Sequence, residues 1–191
     1  MLQSPYCKLS KSSIRNLTIV LLISVVILVT VMRYLDSQIQ NIDNAQGIIS
    51  FELANDLSKS EAILNSWNTL SKTSAGMSMG FDFLFLIVYS LFITILIHLV
   101  NEKLWRKSKI NSVGVLLIWL TFLAALFDMI ENVALIKLLL GDLQQKWSSI
   151  AYYFAICKFS LLSLGVFFII INSFFLIFKK IFLKKYSQTS N

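Results

Sequence analysis

The chain has 191 residues, 57% of them apolar and 14% charged, with a mean hydropathy of +0.74 and a single proline. Soluble domains carry about a quarter of their residues as charges, and a chain this short has too little interior to hide so much apolar surface from water. Soluble globular and disordered classes are therefore excluded, and the net charge of +7 has to be read by its placement before it is taken for a nucleic-acid signal.

In chain order, Lys8, Lys11 and Arg15 precede a first apolar run, which predicts a helix over about 14–35. No small-x-small site follows Val31, so the run reads as an uncleaved signal anchor rather than a cleaved signal peptide. A polar stretch from about 36 to 80 comes next. Within it Ile49, Ser50, Phe51, Glu52 and Leu53 alternate with period two, the pattern of a half-buried extended segment. Ser58 and Glu61 then have capping-box spacing ahead of Ile63, Leu64, Trp67 and Leu70, which predicts a short helix over about 59–70. That helix either packs on the bundle or lies at the membrane interface with Trp67 as anchor; a lid over a site is the sharper alternative. Three further apolar helices follow, over about 81–101, 110–140 and 148–179.

Each run is far longer than a barrel strand and lacks its alternation. Between flanking charges the uncharged intervals are 17 residues (Arg15 to Arg33), 19 (Asp82 to Glu102), 18 (Lys109 to Asp128) and 20 (Lys158 to Lys179), close to the roughly 20 needed to span hydrocarbon. Eleven of the 17 basic residues lie before the first helix, between the second and third, or after the last. This bias places both termini and the middle loop in the cytoplasm; nucleic acid is not an expected partner. The predicted fold is thus all-α: a four-transmembrane-helix up-and-down bundle, one integral membrane domain over 1–191, with a small extracytoplasmic cap at 36–80.

Near-equal spans put Arg33, Asp82, Asp128 and Lys158 at one height, about 26–30 Å from the cytoplasmic side, with Asp36, Glu131 and Asn132 just beyond. Asp128, Glu131 and Asn132, at i, i+3 and i+4, share a helix face, and Asp82 and Tyr89 are aligned seven apart. Ala151, Lys158, Gly165 and Asn172 form a heptad-spaced stripe suited to a helix interface in lipid, within the chain or between copies of it. Ionisable groups at membrane depth usually face the bundle interior and mark sites; they can also simply lock the helices together. Four carboxylates (Asp36, Asp82, Asp128, Glu131) against Arg33 and Lys158 require one or two carboxyls to hold protons. Such a layer could hold a cationic or hydroxylated ligand, relay a proton or supply a general acid or base.

Other chemistries fail on counts. His98 is the sole histidine, too few for a b-type haem, and reads as an interface residue. Cys7 and Cys157 fall on opposite sides of the proposed topology, so no disulfide is expected between them. There is no zinc ligand set, Walker loop or nucleophile elbow. No cofactor or metal is expected.

The strings Gly47-Ile-Ile-Ser-Phe-Glu-Leu-Ala54, Ala62-Ile-Leu-Asn-Ser-Trp67, Phe81-Asp-Phe-Leu-Phe85 with Tyr89-Ser90, and Asp128-Met-Ile-Glu-Asn132 with Lys158 resemble a group of bacterial four-helix integral membrane proteins that carry no assigned activity. The resemblance spans roughly 45–160. It implies a bacterial cytoplasmic membrane and points to Glu52 and Trp67 in the cap, with Asp82, Tyr89, Asp128, Glu131, Asn132 and Lys158 in the bundle, as one recurring set. Two functional expectations follow. In one, the outer polar layer binds a small polar or lipidic ligand, or a partner subunit, amid membrane lipid. In the other, Asp82, Asp128, Glu131 and Lys158 form an intramembrane catalytic or proton-relay site acting on a lipid or isoprenoid.

Overall fold

The computed structural model describes residues 3–40 and 47–189, with side chains up to Lys179 except that of Gln40. It contains α1 (Lys11–Gln40), α2 (Ile48–Glu52), α3 (Leu57–Ser66), α4 (Thr69–Trp105), α5 (Ile110–Leu139) and α6 (Gln145–Thr189). Among the described residues there is no strand. Four of these, α1, α4, α5 and α6, are long and apolar enough to cross a membrane, and they form an all-α four-helix bundle. Their outward faces are rows of exposed Ile, Val, Leu and Phe, such as Val20, Ile23, Ile27, Phe167, Ile171 and Phe174, as lipid requires.

The packing follows chain order: α1 lies on α4, α4 on α5, and α5 on α6, with a lesser seam between α4 and α6. α1 packs extensively on α4 alone, so a gap separates α1 from α6. The stripe Ala151, Lys158, Gly165 and Asn172 is buried throughout. A Cβ on Gly165 would come within 3.3 Å of Ile97 and 3.4 Å of Thr121, so the absent side chain is what lets α6 approach α4 and α5. The stripe is therefore used inside the chain. At the α5–α6 turn Gly141 takes φ +93°, a left-handed conformation open to glycine. Asp142 then accepts from the Trp147 indole (2.8 Å), which holds its carboxyl below the ordinary range.

Between α1 and α4 the chain departs from its sequence reading in three ways. The period-two run at 49–53 is helical, forming α2. Five residues satisfy either period, and here Phe51 turns into a core (1% exposed) while Ile49 and Ser50 stay outside. The short helix α3 is capped not by Ser58 but by Asp56, whose side chain accepts from the Lys59 N–H at 2.9 Å. Finally α4 starts twelve residues before the predicted 81, with Asn68 as its cap. Residues 69–80 are too polar to read as membrane helix, yet Ser71, Ser74, Ala75, Ser78 and Met79 are buried. The helices α2 and α3 pack chiefly on α5 and α6, and Ala75 and Met79 of this extension join their core. The residues 41–46 of the predicted loop lie outside the described ones.

The result is a cap with its own core: Phe51, Ala54, Ile63, Leu64 and Trp67 pack on Met79, Ala134, Leu135, Leu138 and Ala151. Trp67 is 3% exposed and meets Phe51 edge-on at 5.2 Å. It is a core residue of the cap rather than an interface anchor. The apolar ends of α5 and α6 and the small-residue start of α4 thus run past the polar layer into the cap, which covers that end of the bundle.

Candidate functional site

Beneath the cap, four elements converge on the Lys158 ammonium of α6. Its Nζ lies 2.9 Å from Asp128 Oδ1 and 2.8 Å from Glu131 Oε2, both on α5, and 3.9 Å from Glu52 Oε2 on α2. From α4, the Tyr89 hydroxyl donates to Asp128 Oδ2 at 2.8 Å. The Asn132 amide donates to Asp82 Oδ2 at 2.5 Å and reaches Asp128 Oδ1 at 3.4 Å. Asp128, Glu131, Asn132 and Lys158 are all 5% exposed or less. The shared face of Asp128, Glu131 and Asn132 does what its spacing requires, presenting all three groups to one place.

One expected member sits elsewhere and another borders the cluster. Arg33 is exposed on α1, so equal height does not bring it into the layer: a common depth says nothing about which way a helix face turns. Asp36 accepts from the Ile48 N–H at 3.2 Å, tying the start of α2 to α1. Beside Asp36, Glu52 is lowered onto the bundle by α2 and reaches Lys158. His98, at the other end of α4, is buried rather than interfacial, with Nδ1 3.0 Å from Ser4 Oγ.

The charge balance of the cluster is uneven. Four carboxyls (Glu52, Asp82, Asp128, Glu131) face one ammonium, and isolated charges are costly away from water. Burial, only partly opposed by the Lys158 charge, holds the Glu52 carboxyl above its ordinary range. Glu52 also comes within hydrogen-bond reach of Glu131, a contact that two carboxyls make only with a proton between them. Of the two buried oxygens of Glu131, Oε2 meets the Lys158 ammonium at 2.8 Å while Oε1 has no hydrogen-bond partner among the described residues. Asp82, Asp128 and Glu131 still outnumber Lys158. The site keeps a surplus of acceptors. Among the described residues no Asp, Glu, His and Cys group of three or more is disposed to hold a metal ion.

The cluster opens on a cavity of about 500 Å³ in the gap between α1 and α6. Glu52, Asp82, Tyr89, Asp128, Asn132 and Lys158 line its cap end together with Ile48, Ile49 and Met79, and Val25, Phe92, Ile93, Leu162 and Val166 line the apolar rest. From Asp82 to Ile93 along α4 is about 16 Å of helix rise. The cavity therefore grades from polar to apolar over roughly half the hydrocarbon thickness. The apolar lining was not singled out in the sequence, because a phenylalanine beside a cleft and one facing lipid are compositionally alike; only Phe159, whose ring centroid lies 4.7 Å from Lys158 Nζ, adjoins a residue that stands out.

No family model, curated protein or solved structure matches this chain.

Proposed function

We propose that this protein binds an amphiphile laterally from the membrane, holding a hydrogen-bond-donating or cationic head at the Asp82–Asp128–Glu131–Lys158 cluster and an apolar chain in the gap between α1 and α6. The observation that carries the reading is the polar-to-apolar grading of one cavity placed where two spanning helices do not pack. A purely structural salt-bridge layer needs no such gap. The acceptor surplus selects the head: Tyr89 and Asn132 have committed their donors and Lys158 is engaged by carboxylates, so a ligand that donates or carries positive charge completes the balance. The Lys/Arg distribution supports an orientation with both termini cytoplasmic and hence a ligand taken from the outer leaflet, beneath an extracytoplasmic cap. The resemblance noted above supports a bacterial cytoplasmic membrane.

Native mass spectrometry of the protein in mild detergent tests this. A defined co-purifying amphiphile is expected on the wild type, and Asp128→Asn should lower its occupancy about ten- to a hundred-fold, the worth of one hydrogen bond to a charged group. Bare protein in both samples, with the variant markedly less stable, would contradict the proposal and leave the cluster as a bundle clamp.

A second reading rests on the unbroken hydrogen-bonded and ion-paired chain Tyr89–Asp128–Lys158–Glu131 beside the same cavity. Such a chain could move a proton to or from a bound lipid or isoprenoid. In that case Asp128→Asn keeps its adduct and loses turnover, so the same variant separates the two readings.

A further inference from the structure

A second cavity, of about 880 Å³, lies at the end opposite the cap, on the seam between α1 and α4. Its floor is apolar, with Ile14 and Ile19 of α1 and Leu99 of α4. Its rim carries Lys11 and Arg15, one turn apart on α1, and Lys103 and Arg106 around the end of α4. The lone carboxylate on that rim, Glu102, is already paired with Arg106 at 3.6 Å. Like charges gathered around one groove repel one another unless an anion is shared among them.

Topology alone accounts for basic residues at this end, but not for a wall built over them. Residues 3–10 turn back across α4 and are fixed by buried polar contacts: Ser4 Oγ to His98 Nδ1 at 3.0 Å, and Tyr6 Oη to Thr94 Oγ1 at 2.7 Å. The Tyr6 ring lies 5.5 Å from the His98 ring, and Ser4, Tyr6 and His98 are all buried. Trp119 on α5 donates to the Gln3 carbonyl at 3.3 Å. A segment that topological signalling would leave loose is thus clamped onto two helices, and Tyr6, Cys7 and Leu9 close one side of the cavity. Ser10 then starts α1, its hydroxyl accepting from the Ser13 N–H at 3.1 Å.

We infer that this cavity is a binding site for the phosphate head of an anionic membrane lipid, with its acyl chain along Ile14 and Ile19 of α1. Arg15 supplies bidentate phosphate geometry, and Lys11, Lys103 and the Glu102-paired Arg106 add positive charge. The apolar floor distinguishes a lipid from free phosphate, which has nothing to place there.

Native mass spectrometry of the full chain, titrated with phosphatidylglycerol or phosphatidylcholine of identical acyl chains, reads the site. One phosphatidylglycerol per chain should be retained with roughly ten-fold or greater preference, given the worth of several nearby cations. Lys11→Gln, Arg15→Gln, Lys103→Gln and Arg106→Gln together should abolish the preference. Lys8→Gln, Lys107→Gln, Lys109→Gln and Lys179→Gln, which remove equal charge outside the cavity lining, should keep it. If the first set fails to fold, Arg15→Glu read against Lys109→Glu gives the same comparison from single changes. Inorganic phosphate at matched concentration should leave the lipid in place; displacement by phosphate alone would assign the site to the free anion and overturn the lipid. Equal retention of both lipids by the wild type, or equal loss in the two sets, would overturn the site itself.

Discussion

At the scale of single residues, Lys158 is the charge on which the cluster depends. It is the one ammonium against Asp128, Glu131 and Glu52, and removing one partner of a buried ion pair strands the other. Lys158→Met should therefore cost about 3 kcal/mol or more of stability in chemical unfolding in detergent, and adding Asp128→Asn should recover part of the loss. Glu52 gives a pH test. Facing Lys158, Asp128, Glu131 and Asp36, its folded carboxyl is held above its ordinary value of 4.5, chiefly by burial. The folded state thus binds the proton more tightly than the unfolded chain does. Its contribution is complete below about pH 4.5 and is lost as pH rises through the raised folded value. Stability of the wild type should fall over that window relative to Glu52→Gln, which has no proton to lose; parallel curves would refute the assignment. Asp128, Glu131, Asn132 and Lys158 were legible in the sequence because an ionisable group inside an apolar run is conspicuous and helical spacing fixes its face. Arg33 was misplaced because length gives depth but not azimuth. Glu52 reached the candidate set only through the resemblance, since nothing in an isolated polar loop says that it folds down onto a lysine a hundred residues away.

At the scale of elements, close helix approach rests on particular glycines. A Cβ on Gly114 would fall within the Asn101 side chain, whose amide donates to the Asn111 carbonyl and Oδ1 at 3.1 and 2.9 Å and so closes the α4–α5 turn. Gly114→Ala should displace that amide and lower stability by about 1–3 kcal/mol. Gly80, in contrast, is exposed in α4 with nothing near its missing Cβ. Gly80→Ala should be neutral or stabilising by up to about 1 kcal/mol through helix propensity alone. Thermal unfolding of the pair checks both signs, and a matched gain would show that propensity, not packing, governs these positions. The four spanning helices were legible because apolar length is a strong signal. The extension of α4 and the short α2 were not. The first is polar by composition and helical through its buried small residues, and the second is too short for its period to be decided before its Phe51 finds a core.

At the scale of the whole molecule, the cap and the gap between α1 and α6 divide the work. The cap closes the bundle over the polar cluster, while the gap leaves the cluster reachable from the side, where lipid is. Neither feature follows from any single helix. The gap arises because α1 is committed to α4 and α6 to α5, and that arrangement depends on side-chain packing throughout the bundle. The lateral-entry claim is tested most directly by photochemical capture in the native membrane. A benzophenone side chain replaces Val25, which lines the cavity, or its neighbour Val26, which is 57% exposed on the outer face. The probe at 25 should capture one dominant amphiphile, and lose it in Asp128→Asn, while the probe at 26 should capture lipid in proportion to its abundance. The same mixture of bulk lipid at both positions, unchanged by Asp128→Asn, would contradict lateral entry.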